Sequence, residues 1–448
     1  MCWTKEKGLA TILESQPNLE RQLVLIMQVQ ITRTFNVPEG VKSVNQLEEA
    51  ILDFGRQMML EVLSTLIRMY ERDHYCCHEC GSRKVEPRGT KGRQISLVFG
   101  EITVARARVF CLECEKLSQP ADILLDELEG GRATSKLREL ICLSTASWPF
   151  EVAQGVLHDL CGVDLSDETM RQLSQKEGQR LIEEQTELAA AVVGSKPKVV
   201  TDDAEEFVCV EMDGGYIHSR DNEGDMEGKV GLIYSKREKV GKDRYQLMDK
   251  RLVVSFAGSE RLGQLGYVEA KEKGIEAAKK KVVLGDGAPW IWTQKEEHFP
   301  EATAILDLFH LKRAVWEALR CVELPDTGKT IIGRGIVEAL ENGQVDVACG
   351  LVEGLTEVSE VGKEQLSALL GYIRNNREAI PDYVKLKEEG YPVGSGAMEK
   401  QVDLIINRRM KGKQGMTWTR DGADSIAALR VLRLNGDWRQ YWDKRKAA

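Results

Sequence analysis

The sequence predicts a multidomain α+β protein, and three observations carry that expectation. The chain has 448 residues, a length that suggests about two to four domains. Its apolar periodicity changes repeatedly, from helical spacing to alternation, back to helix, into a strand-rich region and then an almost wholly helical block. Two cysteine pairs bracket the first alternating segment, as the knuckles of a small metal-bearing ribbon do. The expected organisation runs from an N-terminal helical region (1–75) to a zinc ribbon (76–120) and a helical, helix-turn-helix-like segment (132–190). The first part of an α/β core (204–309), an all-α insertion (310–390) and a C-terminal part of the core with a basic tail (391–448) follow.

The N-terminal region reads as helical from about Thr11 to Tyr75, because Leu47, Ile51, Phe54, Met58, Val62 and Leu66 recur at helix-like spacing. Pro38-Glu39-Gly40 divides it into two parts. Between Cys76 and Cys114 the period becomes two. Gln94–Phe99 and Ile102–Val109 alternate around Gly100-Glu101 and read as a hairpin. Cys77-x₂-Cys80 and Cys111-x₂-Cys114 flank it and supply four soft ligands for tetrahedral Zn²⁺, with no position left for water. Gly81 allows the tight turn of a knuckle. Cys76 is an alternative to Cys77, which the two-residue spacing favours, and His74 and His78 read as bystanders.

Helices return after Arg132. One begins at Ser147-Trp148-Pro149-Phe150 and ends near Gly162; the next opens at Ser166, a suitable N-cap with carboxylates in the first turn. Two readings of this pair stand. As a helix-turn-helix, Ser166 to about Arg180 would be the recognition helix, with Arg171, Gln172, Gln175, Lys176 and Gln179 facing DNA. As an ordinary helical hairpin, those side chains are simply solvated. Charged, strand-poor sequence from Glu183 to Asp203 reads as a linker. Three strands, a helix and a strand are expected from Glu206 to Leu284, then a short strand at Ala302–Leu306, then helices to about Glu389.

Three carboxylates stand out in this pattern. Asp213 closes Phe207–Met212 and precedes Gly214-Gly215, Asp286 closes Lys281–Gly285 and precedes Gly287-Ala288, and Glu399 lies in Gly394-Ser395-Gly396-Ala397-Met398-Glu399. Asp-Gly pairs are commonly just turns, but the strand-then-Asp arrangement occurs twice and is met by an acid opening a helix. Three hard oxygen donors suit Mg²⁺, and two such ions about 4 Å apart bind the attacking and leaving oxygens of a phosphodiester displacement. His310, in Asp307-Leu308-Phe309-His310, reads either as a satisfied histidine opening a helix or as a contact to the scissile phosphate. Lys312 and Arg313 follow it. Arg408, Arg409, Lys411, Lys413 and Trp418 interleave bases with glycine and an aromatic, a composition that suits a DNA-tracking surface or a solvated helix end.

Composition bounds these readings. Hydrophobic content of 42% and charged content of 30% are ordinary for globular chains. No apolar run approaches the roughly 18 to 20 residues of a membrane span, and the first residues lack a secretory signal's apolar stretch, so the cytoplasm is the expected location and no membrane partner is expected. The net charge of -9 excludes a uniformly basic coat, yet basic residues outnumber acidic ones from Lys400 onward, which fits one face presented to a polyanion. Five of the 11 cysteines lie between Cys76 and Cys114. The others are scattered singly, against a disulfide scaffold.

Together, Met212-Asp213-Gly214, Gly285-Asp286-Gly287-Ala288-x-Trp290-Ile291, Leu306–Arg313, Gly394–Glu399, Gly415-Met416-x-Trp418 and Gly422-Ala423 resemble DDE transposases of bacterial insertion sequences, of the ISKra and ISLre kind and distantly mutator-like. The resemblance spans roughly Leu47 to Trp442. It implies an RNase H-like α/β catalytic core with Asp213, Asp286 and Glu399 as ligands of two Mg²⁺ (or Mn²⁺) ions, interrupted by the all-α insertion. It also implies that Asp307 and His310 occupy the family's aspartate-or-cysteine, two residues, histidine motif. The expected activity is cleavage and strand transfer of double-stranded DNA, at terminal repeats and target, by at least a dimer. Two competitors are a catalytically inactive, domesticated DNA-binding protein, against which the intact triad speaks, and an RNase H-like nuclease without strand transfer.

Overall fold

A computed structural model of the chain describes residues 32–447, apart from 38, 126–127, 129–130, 194–204, 222–223, 242–243, 356–358 and 413–414. The predicted helix between Thr11 and residue 31, the second half of the predicted linker (194–203), and Lys413 therefore lie outside the described residues. The chain divides into two compact units, one comprising Met1–Ile95 and Phe99–Asp126, the other Ser96–Val98 and Glu127–Ala448.

In the first unit, helix α1 (Val44–Asp73) is capped by the Ser43 hydroxyl, which accepts from Gln46 N. Strands β1 (Val85–Leu97), β2 (Gly100–Cys111) and β3 (Leu117–Ser118) form a three-stranded sheet in that order. β1 begins well before the predicted Gln94. Its residues 86–92 are exposed, so no alternation of burial marks them, and β-pairing alone extends the strand. The short helix α2 (Asp122–Leu125) follows.

The second unit opens with α3 (Ser135–Thr145), α4 (Phe150–Cys161) and α5 (Asp167–Val193). Ser166 caps α5, accepting from Thr169 N at 3.1 Å. α5 is 27 residues long and takes in the first half of the predicted linker, Glu183 to Val193. It buries Met170, Ser174, Glu177, Leu181, Ile182 and Ala189 along one side, spacing that gives a helix a continuous packing face. The helix pair consequently belongs to the same compact unit as the sheet that follows.

That sheet contains β4 (Phe207–His218), β5 (Asp225–Tyr234), β8 (Lys250–Ser255), β9 (Lys280–Gly285) and β10 (Thr303–Leu306), while β6 (Arg237–Gly241) and β7 (Arg244–Leu247) form a separate two-stranded ribbon inserted before β8. The ribbon is an addition to the three strands expected before the helix; its burial pattern is almost wholly exposed, so it carries no core-facing signal. The five strands lie in the order β10-β9-β4-β5-β8. β5 runs antiparallel to β4 and β8 antiparallel to β5, whereas β9 is parallel to β4 and β10 parallel to β9. β4 is central, and its near-continuous apolar run is what burial on both faces requires. Val208, Val210 and Met212 face a core completed by α6 (Ser259–Glu272) and α7 (Pro289–His298), and Cys209 faces the larger core on the other side.

Between β10 and the C-terminal helices lie α8 (Leu308–Arg320), α9 (Asp326–Glu341), α10 (Val345–Glu353), α11 (Glu360–Asn375) and α12 (Tyr383–Glu388), the predicted helical block. α13 (Gly396–Val402) then passes through a π-helical turn at Asp403–Asn407 into α14 (Arg408–Met410), and α15 (Arg420–Leu434) and α16 (Trp438–Ala447) complete the unit. No helix among the described residues is long and apolar enough to cross a membrane.

Candidate active site and metal centre

The strand register sets the candidate active site. β4 pairs Met212 with Gly285 of β9, and β10 pairs Leu306 with the same Gly285. One residue further, Asp213, Asp286 and Asp307 therefore stand in a row across three neighbouring parallel strands. Side chains alternate along a strand, so all three share the face that carries Cys209 and Glu211. Asp213 Oδ1 accepts from Gly214 N at 2.7 Å, and Asp286 Oδ1 from Ala288 N at 3.0 Å.

Asp307 is the knot of this arrangement. Its Oδ1 accepts from Phe309 N (2.6 Å) and His310 N (3.0 Å), capping α8, and its Oδ2 accepts from Ser395 N at 2.6 Å. The same carboxylate thus anchors the Gly394-Ser395-Gly396 loop that carries Glu399. Burial pushes Asp307 upward, but the nearby His310 ring and the hydrogen bonds from the Ser395 and His310 amides hold it below the ordinary carboxylate range. His310 is raised in turn, chiefly by Asp307, whose Oδ2 lies 3.6 Å from Nδ1. Its Nε2 lies 3.9 Å from Glu399 Oε1.

Glu399 reaches this row because α13 and the π-helical turn lie directly on β4. Gly215 has no side chain where a Cβ would meet Val402 Cγ1 at 3.0 Å and Ile406 Cδ1 at 3.1 Å. Burial, then the charges of Asp286 and Glu399, push the Asp213 carboxyl up to about 6 against the Gly214 amide and His310. Asp213, Asp286, Glu399 and His310 thus lie in one neighbourhood, where their charges act on one another. They stand loosely: among the described residues the four cysteines are the group whose ligand atoms all lie within 4.8 Å of one another, and the Glu399 side chain is 51% exposed.

A further carboxyl, Glu211, lies two residues before Asp213 on the same face. It is buried, its Oε1 accepts from Tyr234 OH at 2.7 Å, and its Oε2 has no hydrogen-bond partner among the described residues. Burial pushes it up to about 8, with Asp307 adding and Tyr234 opposing. A lone charge inside Val210-Glu211-Met212 is a signal that the sequence reading passed over.

The cysteine cluster has the form expected of a structural metal site. Cys77, Cys80, Cys111 and Cys114 gather, with Cys77 Sγ 3.6 Å from Cys114 Sγ and Cys80 Sγ 3.5 Å from Cys111 Sγ. The two knuckles repeat one geometry. Gly81 N donates to Cys77 O and Glu115 N to Cys111 O, and Gly81 and Glu115 both have positive φ. Although burial opposes it, the amides of Cys80 and Glu79 and the Ser118 hydroxyl bring Cys77 down to about 6, which favours the thiolate a metal needs. Four such sulfurs can hold a zinc ion. Cys76 is not in the group, and the His74 ring stacks on Tyr70.

The predicted DNA contacts separate into exposed and buried residues. Arg171 is held by Glu168 and Gln175, Lys312 by Glu341, and Arg408 by Asp403. Arg313, half exposed, lies 3.8 Å from Glu317; Lys176 and Lys411 are exposed. Arg409 and Trp418 are not surface groups. Arg409 is 1% exposed, donates from Nε to Thr145 O at 2.7 Å, and sits between the Phe150 and Trp418 rings, 5.0 Å from each. Trp418 is buried, donates from Nε1 to Met410 O, and joins the end of β4 through Trp418 N to His218 O. Burial, and then the charge of Arg430, bring Arg409 down to about 9, so the carbonyl and two ring faces offset its desolvation only in part, an enclosure that a basic-aromatic composition does not reveal.

Comparison with known proteins places the chain in a family. Over 434 residues it is 23% identical to a UPF0236 protein in the vanSb 3′ region of Streptococcus gallolyticus, covering 92% of this chain and 88% of that one. Among solved structures, the Drosophila P element transposase strand transfer complex aligns with 70% of this chain and 96% of its own at 11% identity, with a TM-score of 0.29, too loose a likeness to carry an argument. Residues 37–446 match the profile described as uncharacterised protein family UPF0236, and the chain belongs to that family.

Proposed function

We propose that this protein is a metal-dependent DNA strand transferase of the DDE type, a transposase acting on the ends of an insertion sequence. The observation that carries the reading is the in-register placement of Asp213 and Asp286 on adjacent parallel strands, with Glu399 set over them by the close passage of α13 across Gly215. The strand order supports an RNase H-like core: three consecutive antiparallel strands begin at the centre, and two parallel strands extend the other edge.

Asp213, Asp286 and Glu399 would hold divalent cations, Mg²⁺ by the hardness of their oxygens. When bound, such ions supply Lewis-acid activation of the attacking oxygen and stabilise the leaving one. The protein's own work is positioning and electrostatics. Asp307 fixes the start of α8 and the loop before Glu399, and holds His310 toward its protonated form. From beside Glu399, His310 Nε2–H suits a non-bridging phosphate oxygen. Lys176, Arg313 and Lys411 offer exposed charge to a DNA backbone, the zinc ribbon is a second recognition module, and two copies would pair two DNA ends.

The test is an Mg²⁺-dependent assay on labelled DNA carrying the element's ends, comparing the intact chain with Asp213→Asn and Glu399→Ala. Cleavage or joining by the intact chain, lost in both variants while DNA binding persists, is the expected result. Retained cleavage in either variant overturns the assignment. Cleavage without joining, when a free 3′-hydroxyl end is supplied, makes the protein a nuclease, and tight binding without chemistry makes it a non-catalytic DNA-binding protein.

A further inference from the structure

We propose that Tyr372 and Asn376, at the end of α11 in the helical block, are positioning residues that hold the Asp286 turn in its ligand-ready geometry. The role assigned to Asp286 rests on the reading above; the clamp itself rests on contacts. Tyr372 OH donates to the backbone carbonyl of Asp286 at 2.6 Å. Asn376, buried at 4% exposure, donates from Nδ2 to Tyr372 O at 2.9 Å and accepts Trp292 Nε1–H at 2.7 Å. Trp292 lies on α7, the helix that the Asp286 turn leads into. The turn is therefore held by α11 through Tyr372, and the end of α11 is tied to α7 through Asn376 and Trp292.

Gly287 shows how tight this seat is. Its φ is +96°, and a Cβ there would lie 2.9 Å from Tyr372 Cε2, Asn376 Nδ2 and Leu306 Cδ1. The residue that follows Asp286 is therefore closely packed by three side chains. Groups one step behind a ligand orient it, and their loss typically costs about 10- to 100-fold in metal affinity or activity. On this view the helical block acts on the chemistry directly, because one of its helices holds a ligand turn.

The experiment compares the full-length wild type with Tyr372→Phe, which removes one hydroxyl, and Trp292→Phe, which removes the indole donor to Asn376. Mn²⁺ binding is followed by electron paramagnetic resonance, DNA cleavage by metal titration, and folding by thermal melting. The half-saturating metal concentration should rise on the order of 10-fold in Tyr372→Phe, by less in Trp292→Phe, in both binding and cleavage, with the rate at saturating metal near that of the wild type. Identical titrations in all three proteins overturn the clamp, as does a lowered melting temperature with unchanged metal affinity. A wild type whose Mn²⁺ binding does not depend on Asp213 would instead sink the reading of the site, so the two failures are distinguishable.

Discussion

Gly215 passes directly beneath Val402: a Cβ on the glycine would lie 3.0 Å from Val402 Cγ1 and 3.1 Å from Ile406 Cδ1. This contact sets the height of α13 above β4, and with it the reach of Glu399 toward Asp213.

Gly215→Val is expected to lift α13 rather than unfold the sheet. Overpacking of this kind costs about 1 to 3 kcal/mol, whereas a displacement on the order of 1 Å at a reacting site can cost about 100-fold in rate. Metal-dependent cleavage should fall by roughly that factor while far-ultraviolet circular dichroism is unchanged. Wild-type cleavage in Gly215→Val would show that the close passage is not what positions Glu399.

Glu211 should give the protein a distinctive pH dependence. Its folded-state value of about 8 lies above the unfolded value of about 4.3, so the folded chain holds this proton more tightly. The resulting stability is fully present below the unfolded value and declines as pH rises toward about 8, by at most about 1.4 kcal/mol per pH unit. Glu211→Gln keeps the shape and removes the titration. Urea unfolding from pH 5 to 8 should show a shallower decline in the variant, and equal slopes would place the carboxyl's ionisation elsewhere.

The cysteine cluster is expected to hold one zinc ion per chain. Native mass spectrometry should find that ion in the wild type and lose it in Cys80→Ser. Chelation should loosen the first unit, since a structural zinc contributes folding energy directly. A metal-free wild type that melts as a stable unit would contradict this.

Arg409 and Lys411 should behave differently despite lying two residues apart. Arg409→Ala removes a buried side chain and its bond to Thr145 O, at a cost of roughly 2 to 4 kcal/mol, and should leave the salt dependence of DNA binding alone. Lys411→Ala should leave the melting temperature alone and lower the slope of log affinity against log salt by about 1. Calorimetry and salt-titrated binding separate the two; the reverse pattern would return Arg409 to the DNA surface.

Local signals carried much of this protein into view. Alternation and helical spacing depend on near neighbours in the chain, so the helical block, the sheet strands and the two knuckles were readable. Asp286 does follow the last residue of its strand, as its glycine neighbour signalled, whereas Asp213, expected to close a strand, lies inside β4, which runs on to His218 because β5 continues to pair with it. β1 beyond Gln94 and the β6–β7 ribbon were not, since they are mostly exposed and carry little alternation.

What the sequence by itself determined was therefore the kind of element each segment forms and the chemistry its side chains offer. Which of those side chains meet was decided by tertiary structure alone. Arg409 reads as a DNA contact until Thr145, 264 residues away, supplies its carbonyl. Tyr372 reads as part of a helical face until its hydroxyl lies on the Asp286 carbonyl, 86 residues back. Burial and hydrogen bonding depend on what packs against a group, and those partners come from distant parts of the chain that no local pattern records.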